Sequence, residues 1–145
     1  MAWESKKYRR WVARLPCAMW GGRGGHPHHP IDLGGGLRGT GMKVSDALII
    51  PLSAEAHRHI HGKTATDGDK LAQFDWILRT IRLGRHGGKL DLRNLAIYPL
   101  ISDMTDVTRR PWESPESFQC PRYAIWLAFV QQIGNMADKG DFVVR

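Results

Sequence analysis

Histidine is distributed unevenly along this chain, and that distribution constrains the fold more than any other feature. Six of the seven histidines fall in two short clusters, which comprise His26, His28 and His29, then His57, His59 and His61. On a helix, His57 and His61 project from one face because they are four residues apart, and two such imidazoles can chelate one divalent ion. A solvated helix that happens to be rich in histidine has the same spacing, so the pair alone leaves both interpretations open.

A third ligand from the first cluster would complete a metal site. Adjacent residues on an extended segment face different directions, so one of His28 and His29 can join the metal while the other faces a substrate. Three imidazoles with open positions on the ion are typical of a catalytic site rather than a closed structural one. The remaining histidine suits a general base that deprotonates water, because a free imidazole titrates near neutral pH.

Hydrophobic periodicity predicts four helices, over residues 4–15, 54–61, 66–83 and 122–137. Pro16 stops the first helix, Ser53 caps the start of the second, and Gly62 ends the second. The apolar stripe of the first helix is Tyr8, Trp11, Val12 and Leu15, and that of the third is Leu71, Phe74, Ile77, Leu78 and Ile81.

Extended structure is predicted for the first histidine cluster, for residues 47–52, and for a strand somewhere within residues 90–101. Residues 102–121 contain prolines and are expected to form a loop. Another loop, with glycines at 34–36, 39 and 41, separates the first two extended segments. The order helix, loop, strand, loop, strand, helix predicts an α+β fold.

Positive charge is concentrated at the front of the chain. The formal net charge is +7, of which residues 1–43 carry +6. A basic front end on a nearly neutral body is typical of a polyanion-binding surface, although an arm that only aids solubility has the same composition. The candidate phosphate contacts are Lys6, Lys7, Arg9, Arg10, Arg14, Arg38, Lys43 and Arg58. Trp3 and Trp11 are candidates for stacking on unpaired bases, with Trp11 better suited to the core.

Several protein classes are excluded by simple counts. The 145 residues fit one domain, and the two cysteines, Cys17 and Cys120, form no disulfide framework and no CxxC motif. The apolar runs are far too short to span a bilayer. The first residues contain no secretory signal, so a cytoplasmic protein is expected.

The order of the motifs resembles a known family. A basic helix ending in LPC, then HHPI, GMKVSD and IPLSAEAHRHIHG, is similar to the HNH, or ββα-metal, endonucleases. The resemblance is closest to the small phage and prophage branch that includes the RecA-dependent nuclease Ref. It covers roughly residues 5–83, where the helix with Phe74 and Trp76 resembles the aromatic helix that follows the family motif.

The resemblance implies a role for each matching residue. His28, His57 and His61 match the metal ligands, which would hold one divalent ion (Mg²⁺, Mn²⁺ or Zn²⁺). His29 matches the general base that activates water. The family's central Asn has no counterpart in this stretch, and Asp46 is the nearest polar candidate for bracing the base.

The resemblance also implies the organisation of the chain. Residues 1–87 would form a small ββα-metal core with a basic N-terminal helix, and residues 88–145 would form a helical extension packed on it. Relatives hold a separate structural zinc at four positions that read Cys17, Trp20, Ser53 and Ala56 here. A single thiolate cannot hold zinc, so this ion is predicted to be absent. Trp20 is then expected to fill the volume by apolar packing, with Ser53 capping the helix and Cys17 buried.

The function implied is hydrolysis of DNA phosphodiester bonds by a metal-dependent endonuclease in phage recombination or DNA processing. DNA would be a partner, and a recombinase filament is a further candidate. Three alternatives remain: an inactive DNA-binding or recombination accessory protein, a ribonuclease, and an interaction protein whose histidines bind adventitious zinc. The substrate form (duplex, single strand or branched DNA) is left open. Retention of all four site histidines favours the enzyme.

Overall fold

The fold combines helices with short antiparallel strands, as seen in a computed structural model that describes residues 3–30, 44–93 and 121–145. The helices are α1 (Lys6–Val12), α2 (Ala54–His61), α3 (Asp67–His86) and α4 (Pro121–Asp138). The strands are β1 (His26–His28), β2 (Ile50–Leu52), β3 (Leu90–Leu92) and β4 (Phe142–Val144). Strands β1 and β2 form one antiparallel pair and β3 and β4 another, so the predicted α+β class is confirmed.

Strand β1 lies close to β2, and the residue before it lies close to the segment that follows α1. His28 lies opposite Ile50, and Pro27 lies opposite Pro51, in the register with β2. Gly25, just before β1, passes so near the Leu15 carbonyl oxygen and the Pro51 side chain that a Cβ atom there would collide with both. Glycine at this position therefore allows the histidine segment to approach β2.

Local capping explains where α2 and α3 begin. Ser53 Oγ accepts a hydrogen bond of 3.1 Å from the Ala56 backbone N–H, and the helix ends before Gly62, as predicted. Thr66 and Asp69 form a reciprocal capping box at the start of α3. Helix α3 runs three residues beyond its predicted end at Leu83.

The structure differs from the predicted elements at three further places. Helix α1 ends at Val12, well before Pro16, and Ser5 caps its start. Residues 46–48 form a 3-10 turn rather than a strand, because Ser45 Oγ accepts from the Ala47 backbone N–H and closes the turn. Strand β4 was not predicted. The predicted strand within 90–101 begins with β3; its part beyond residue 93 and the predicted loop up to residue 120 lie outside the described residues.

One buried apolar cluster joins the two ends of the chain. Tyr8 and Val12 of α1 are completely buried, which confirms the predicted inner face of that helix. The side chains of α3 that confirm its predicted stripe are Phe74, Ile77, Leu78 and Ile81, whereas that of Leu71 is not described. Val130 and Ile133 of α4 and Phe142 of β4 lie in the same cluster. Within the described segments, no helix is long and apolar enough to cross a membrane.

Candidate functional site

Two distant histidine segments meet where β1 approaches α2. The rings of His28 and His57 are stacked, with centroids 3.7 Å apart and an interplanar angle of 9°. The Nε2 atoms of His57 and His61 lie 3.0 Å apart. The three imidazoles predicted to ligate a metal are therefore neighbours.

Helix α2 turns its histidines outward because its other face is anchored. Ala56 and Ile60 are buried in the core, at 0% and 1% exposure, whereas His61 is exposed and His57 is half-buried. His59 falls on a different side of the helix, where its Nε2 lies 3.2 Å from Asp69 Oδ2. The i, i+4 pair predicted from sequence thus shares one face, and His59 is separate from it.

The environment keeps two of these imidazoles neutral. Burial and then the neighbouring His57 lower the pKa of His28 to about 4. Burial and then His61 also lower the pKa of His57. A neutral imidazole has the free lone pair that a metal ligand needs, and the lowered pKa values favour that neutral form of both rings.

The donor chemistry fits a transition-metal ion. With metal–nitrogen bonds of about 2.0–2.1 Å, two ligands on a tetrahedral ion lie about 3.3 Å apart, close to the 3.0 Å between His57 and His61. Among residues 3–30, 44–93 and 121–145, no three His, Cys, Asp or Glu side chains form a cluster with metal-site geometry. His28 lies flat on His57 in this arrangement.

His29 turns away from this group and meets Asp46. Its Nε2 lies 3.0 Å from Asp46 Oδ1, and Asp46 is only 1% exposed. Asp46 also accepts hydrogen bonds from the Ser5 backbone N–H and from the Arg9 guanidinium. Burial raises the pKa of Asp46, but the bonds from His29, Arg9 and Ser5 outweigh it and bring the pKa to about 2.

An ionised Asp46 determines how His29 presents its two nitrogens. A carboxylate only accepts, so Nε2 of His29 carries a proton and donates it to Asp46. In the neutral ring, Nδ1 is then the nitrogen with a free lone pair. His29 is 37% exposed, so it is accessible to solvent.

The predicted phosphate contacts fall into three groups. Those with exposed side chains are Lys6, Lys7, Arg10, Arg14 and Arg58. Arg9 is also exposed, at 46%, but one edge of its guanidinium, formed by Nε and Nη2, donates to the buried Asp46 carboxylate. Arg38, Lys43 and the glycines at 34–41 lie outside the described residues.

Trp3 is partly buried and packs against the protein. Its ring centroid lies 5.8 Å from that of Tyr8 and 6.0 Å from that of Phe142. Its backbone N–H donates to Asp138 Oδ1 over 2.6 Å. Trp11 stacks on Tyr8 at 5.6 Å, as expected for a residue packed on the core.

The positions that the resemblance matches to structural-zinc ligands differ in burial. Cys17 is buried, as predicted, and Ser53 caps α2. Burial raises the pKa of Cys17, but hydrogen bonds, first from the Ser53 backbone, outweigh it and lower that pKa. Trp20 was predicted to fill the volume, but it is 54% exposed and lies against the His59 ring instead.

Sequence reasoning missed two features beside the site. The Arg9–Asp46 pair joins residues far apart in sequence, and no local pattern indicates it. A groove of about 630 Å³ lies along α3, bounded by Trp20, Asp69, Trp76 and Arg79 among others.

The chain is similar to one bacterial protein over its first half. "Uncharacterized protein YdfU" from Escherichia coli (strain K12) is 39% identical over 80 residues, which cover 54% of this chain but only 22% of that protein. No solved structure matches the chain. The family described as "Protein of unknown function (DUF968)" matches residues 1–82, a range that contains all the candidate site residues. Because the match covers more than half of its length, this chain belongs to the DUF968 family.

Proposed function

We propose that this protein is a metal-dependent endonuclease of the HNH, or ββα-metal, type that hydrolyses phosphodiester bonds in DNA. The observation that carries the proposal is the meeting of two histidine segments: His28 stacks on His57, which lies 3.0 Å from His61, while His29 faces Asp46. Three neighbouring imidazoles, and a fourth imidazole that contacts a carboxylate, are the parts that metal-assisted hydrolysis requires.

The order of elements supports the same assignment. The antiparallel pair β1–β2 leads directly into α2, and the candidate ligands lie at the end of β1 and on the exposed face of α2. This is the strand–strand–helix order of the family that the sequence resembles. Residues 88–145 would then be an extension on that core.

His28, His57 and His61 are the residues that would hold one divalent ion. When bound, such an ion stabilises the charge that develops on the phosphate and on the leaving 3′-oxygen. His29 accepts the proton of a water molecule at Nδ1, and Asp46 keeps Nε2 protonated and stabilises the imidazolium that results.

Exposed cations on α1 and just after it supply the proposed contacts to DNA. Lys6 lies one helical turn from Arg9, which contacts Asp46. Lys6 is therefore on the side of α1 that faces the proposed general base, His29. Lys7, Arg10 and Arg14 extend the positive surface and would bind phosphates without reading sequence. The resemblance to phage and prophage enzymes is the basis for proposing a role in DNA recombination or processing in a bacterial cytoplasm, with a recombinase filament as a further partner.

Nicking of supercoiled plasmid by the purified protein tests the proposal. We expect cleavage with Mg²⁺ or Mn²⁺, none with chelator, and none in either ion with His29→Ala. The control is His86→Ala, which removes an exposed histidine on α3 outside the site. Binding of plasmid, single-stranded and branched DNA without cleavage of any of them would contradict the proposal and favour an accessory DNA-binding protein.

A further inference from the structure

We infer that Arg9 is a positioning residue for the general base, His29. Arg9 fixes the orientation of the Asp46 carboxylate, and Asp46 in turn orients the His29 ring. The inference rests on the proposed function. It assigns to Arg9 a role other than the phosphate contact expected from its place in a basic helix.

The geometry of the Asp46 carboxylate carries this inference. Arg9 Nε donates to Oδ2 over 2.9 Å and Nη2 donates to Oδ1 over 2.8 Å, so the guanidinium spans both oxygens. Oδ2 also accepts from the Ser5 backbone N–H at 2.8 Å, and Oδ1 contacts His29 Nε2 at 3.0 Å. A planar two-point contact fixes the carboxylate plane, and that plane sets the direction in which His29 donates.

The backbone beneath Asp46 is anchored to the same N-terminal segment. The Asp46 N–H donates to the Trp3 carbonyl oxygen over 2.9 Å. Trp3 in turn packs on Tyr8 and Phe142. The segment from residue 3 to residue 9 therefore surrounds Asp46, and Arg9 provides the cation that balances a carboxylate with 1% exposure.

The residues of α1 thus have different tasks. All four basic side chains of the helix are exposed to some degree, but the Arg9 guanidinium is bound to the buried Asp46 carboxylate, whereas Lys6, Lys7 and Arg10 are free of that contact. Loss of Arg9 frees the Asp46 carboxylate to rotate and lets His29 leave its orientation, which slows the chemical step. Loss of an outward cation weakens phosphate contacts, which acts on substrate binding.

Steady-state cleavage kinetics of the full chain with Mn²⁺ test whether Arg9 acts on the chemical step and the other cations act on substrate binding. We expect Arg9→Gln to lower kcat on the order of 10–100-fold, the usual range for residues that orient a ligand or base from behind, with KM little changed. Arg9→Lys should recover only part of kcat, because an ammonium group cannot span both carboxylate oxygens. Arg10→Gln should instead raise KM.

The matched control is Arg79→Gln, which breaks an exposed Arg–Asp pair of 2.9 Å on α3 and should leave both constants unchanged. A rise in KM with unchanged kcat for Arg9→Gln would overturn the inference and return Arg9 to the phosphate contacts. Circular dichroism identifies variants that fail to fold. If Arg9→Gln is unfolded, Arg9→Lys decides: a kcat equal to that of the parent overturns the inference.

A second readout separates this inference from the proposed function. Nitrogen-15 chemical shifts of the His29 ring report which nitrogen carries the proton, with or without cleavage. We expect the Nε2–H form in the parent and a mixture of forms in Arg9→Gln. If the parent does not cleave DNA but Arg9→Gln still produces this change in the His29 ring, the proposed nuclease function is contradicted and the positioning role is not. If Arg9→Gln leaves the ring unaffected, the positioning role is contradicted.

Discussion

The imidazole of His57 on α2 lies flat against that of His28 on β1, with 3.7 Å between ring centroids. The contact joins two histidine clusters that the sequence separates by a glycine-rich stretch. It depends on two local features: the close approach of the chain at Gly25 and the capped start of α2 at Ser53. Both can be tested separately from catalysis.

Replacing Gly25 with alanine should destabilise the protein and disturb the histidine site. The new Cβ would collide with the Leu15 carbonyl oxygen and come within 2.9 Å of Pro51 Cβ, which are not flexible ends of side chains. Overpacking of this kind costs about 1–3 kcal/mol, measured as the free energy of unfolding in urea. The comparison is Gly88→Ala, where φ is +70° but the space is open, so only backbone strain contributes. A Gly25→Ala protein as stable as the parent would contradict the close approach.

Removing the Ser53 hydroxyl should weaken the start of α2. Ser53→Ala leaves the Ala56 N–H without its 3.1 Å acceptor, and the loss of a cap costs about 1 kcal/mol of unfolding free energy. Ser53→Asp keeps an acceptor and places a negative charge at the helix N-terminus, so it should preserve most of the stability. Equal losses for alanine and aspartate in urea unfolding would show that capping is not what Ser53 contributes.

The sequence predicts those parts of the fold that depend on interactions between residues close together in the chain. Spacing alone places His57 and His61 on one face, and a serine before an apolar helix identifies the cap at Ser53. The pairing of Arg9 with Asp46 is not local, so charge composition assigned Arg9 to the phosphate contacts. Strand β4 has only three residues and depends on β3 for its pairing, which short-range patterns do not reveal.

Burial was hardest to predict where a residue had a plausible partner in the core. Trp20 was expected to replace a zinc ion by packing, but its ring lies beside His59 at the rim of the α3 groove. Trp3 shows the opposite behaviour, since it packs on Phe142, which comes from the far end of the chain. Contacts between distant segments decide both cases.

Asp46 should make the stability of the protein dependent on pH in acid. Its pKa in the folded protein is about 2, below the ordinary value of 3.8, so the unfolded chain takes up the proton first as the pH falls. The resulting stabilisation, about 2 kcal/mol, is fully present above about pH 4 and is lost as the pH falls toward 2.

Asp46→Asn should therefore be less stable than the parent at pH 7, with a difference that shrinks as the pH approaches 2. Urea unfolding at several pH values measures this difference. The comparison is Asp91→Asn, which removes an exposed carboxylate paired with Arg145 and should change stability by less than about 1 kcal/mol. A parent–variant difference for Asp46→Asn that stays constant from pH 7 to pH 2 would contradict the lowered pKa.

Binding of DNA should depend on salt through the outward cations of α1. Each phosphate contact contributes a slope of about −0.9 to the dependence of log K on log salt concentration for duplex DNA. We expect Lys6→Gln and Arg10→Gln each to weaken binding and to reduce that slope by up to about 0.9, as measured by fluorescence anisotropy. Lys139→Gln, an exposed cation after α4, should change neither. Slopes identical to the parent in the α1 variants would place the DNA elsewhere.

The most direct test of the metal site is a calorimetric titration of Zn²⁺ and Mn²⁺ into the metal-free protein. We expect one ion to bind per chain with an affinity that falls sharply in His28→Ala, His57→Ala and His61→Ala. His86→Ala should bind like the parent, because it removes an exposed histidine outside the site. A parent that binds neither ion, or a His57→Ala variant that binds as tightly as the parent, would contradict a metal centre built from these three histidines.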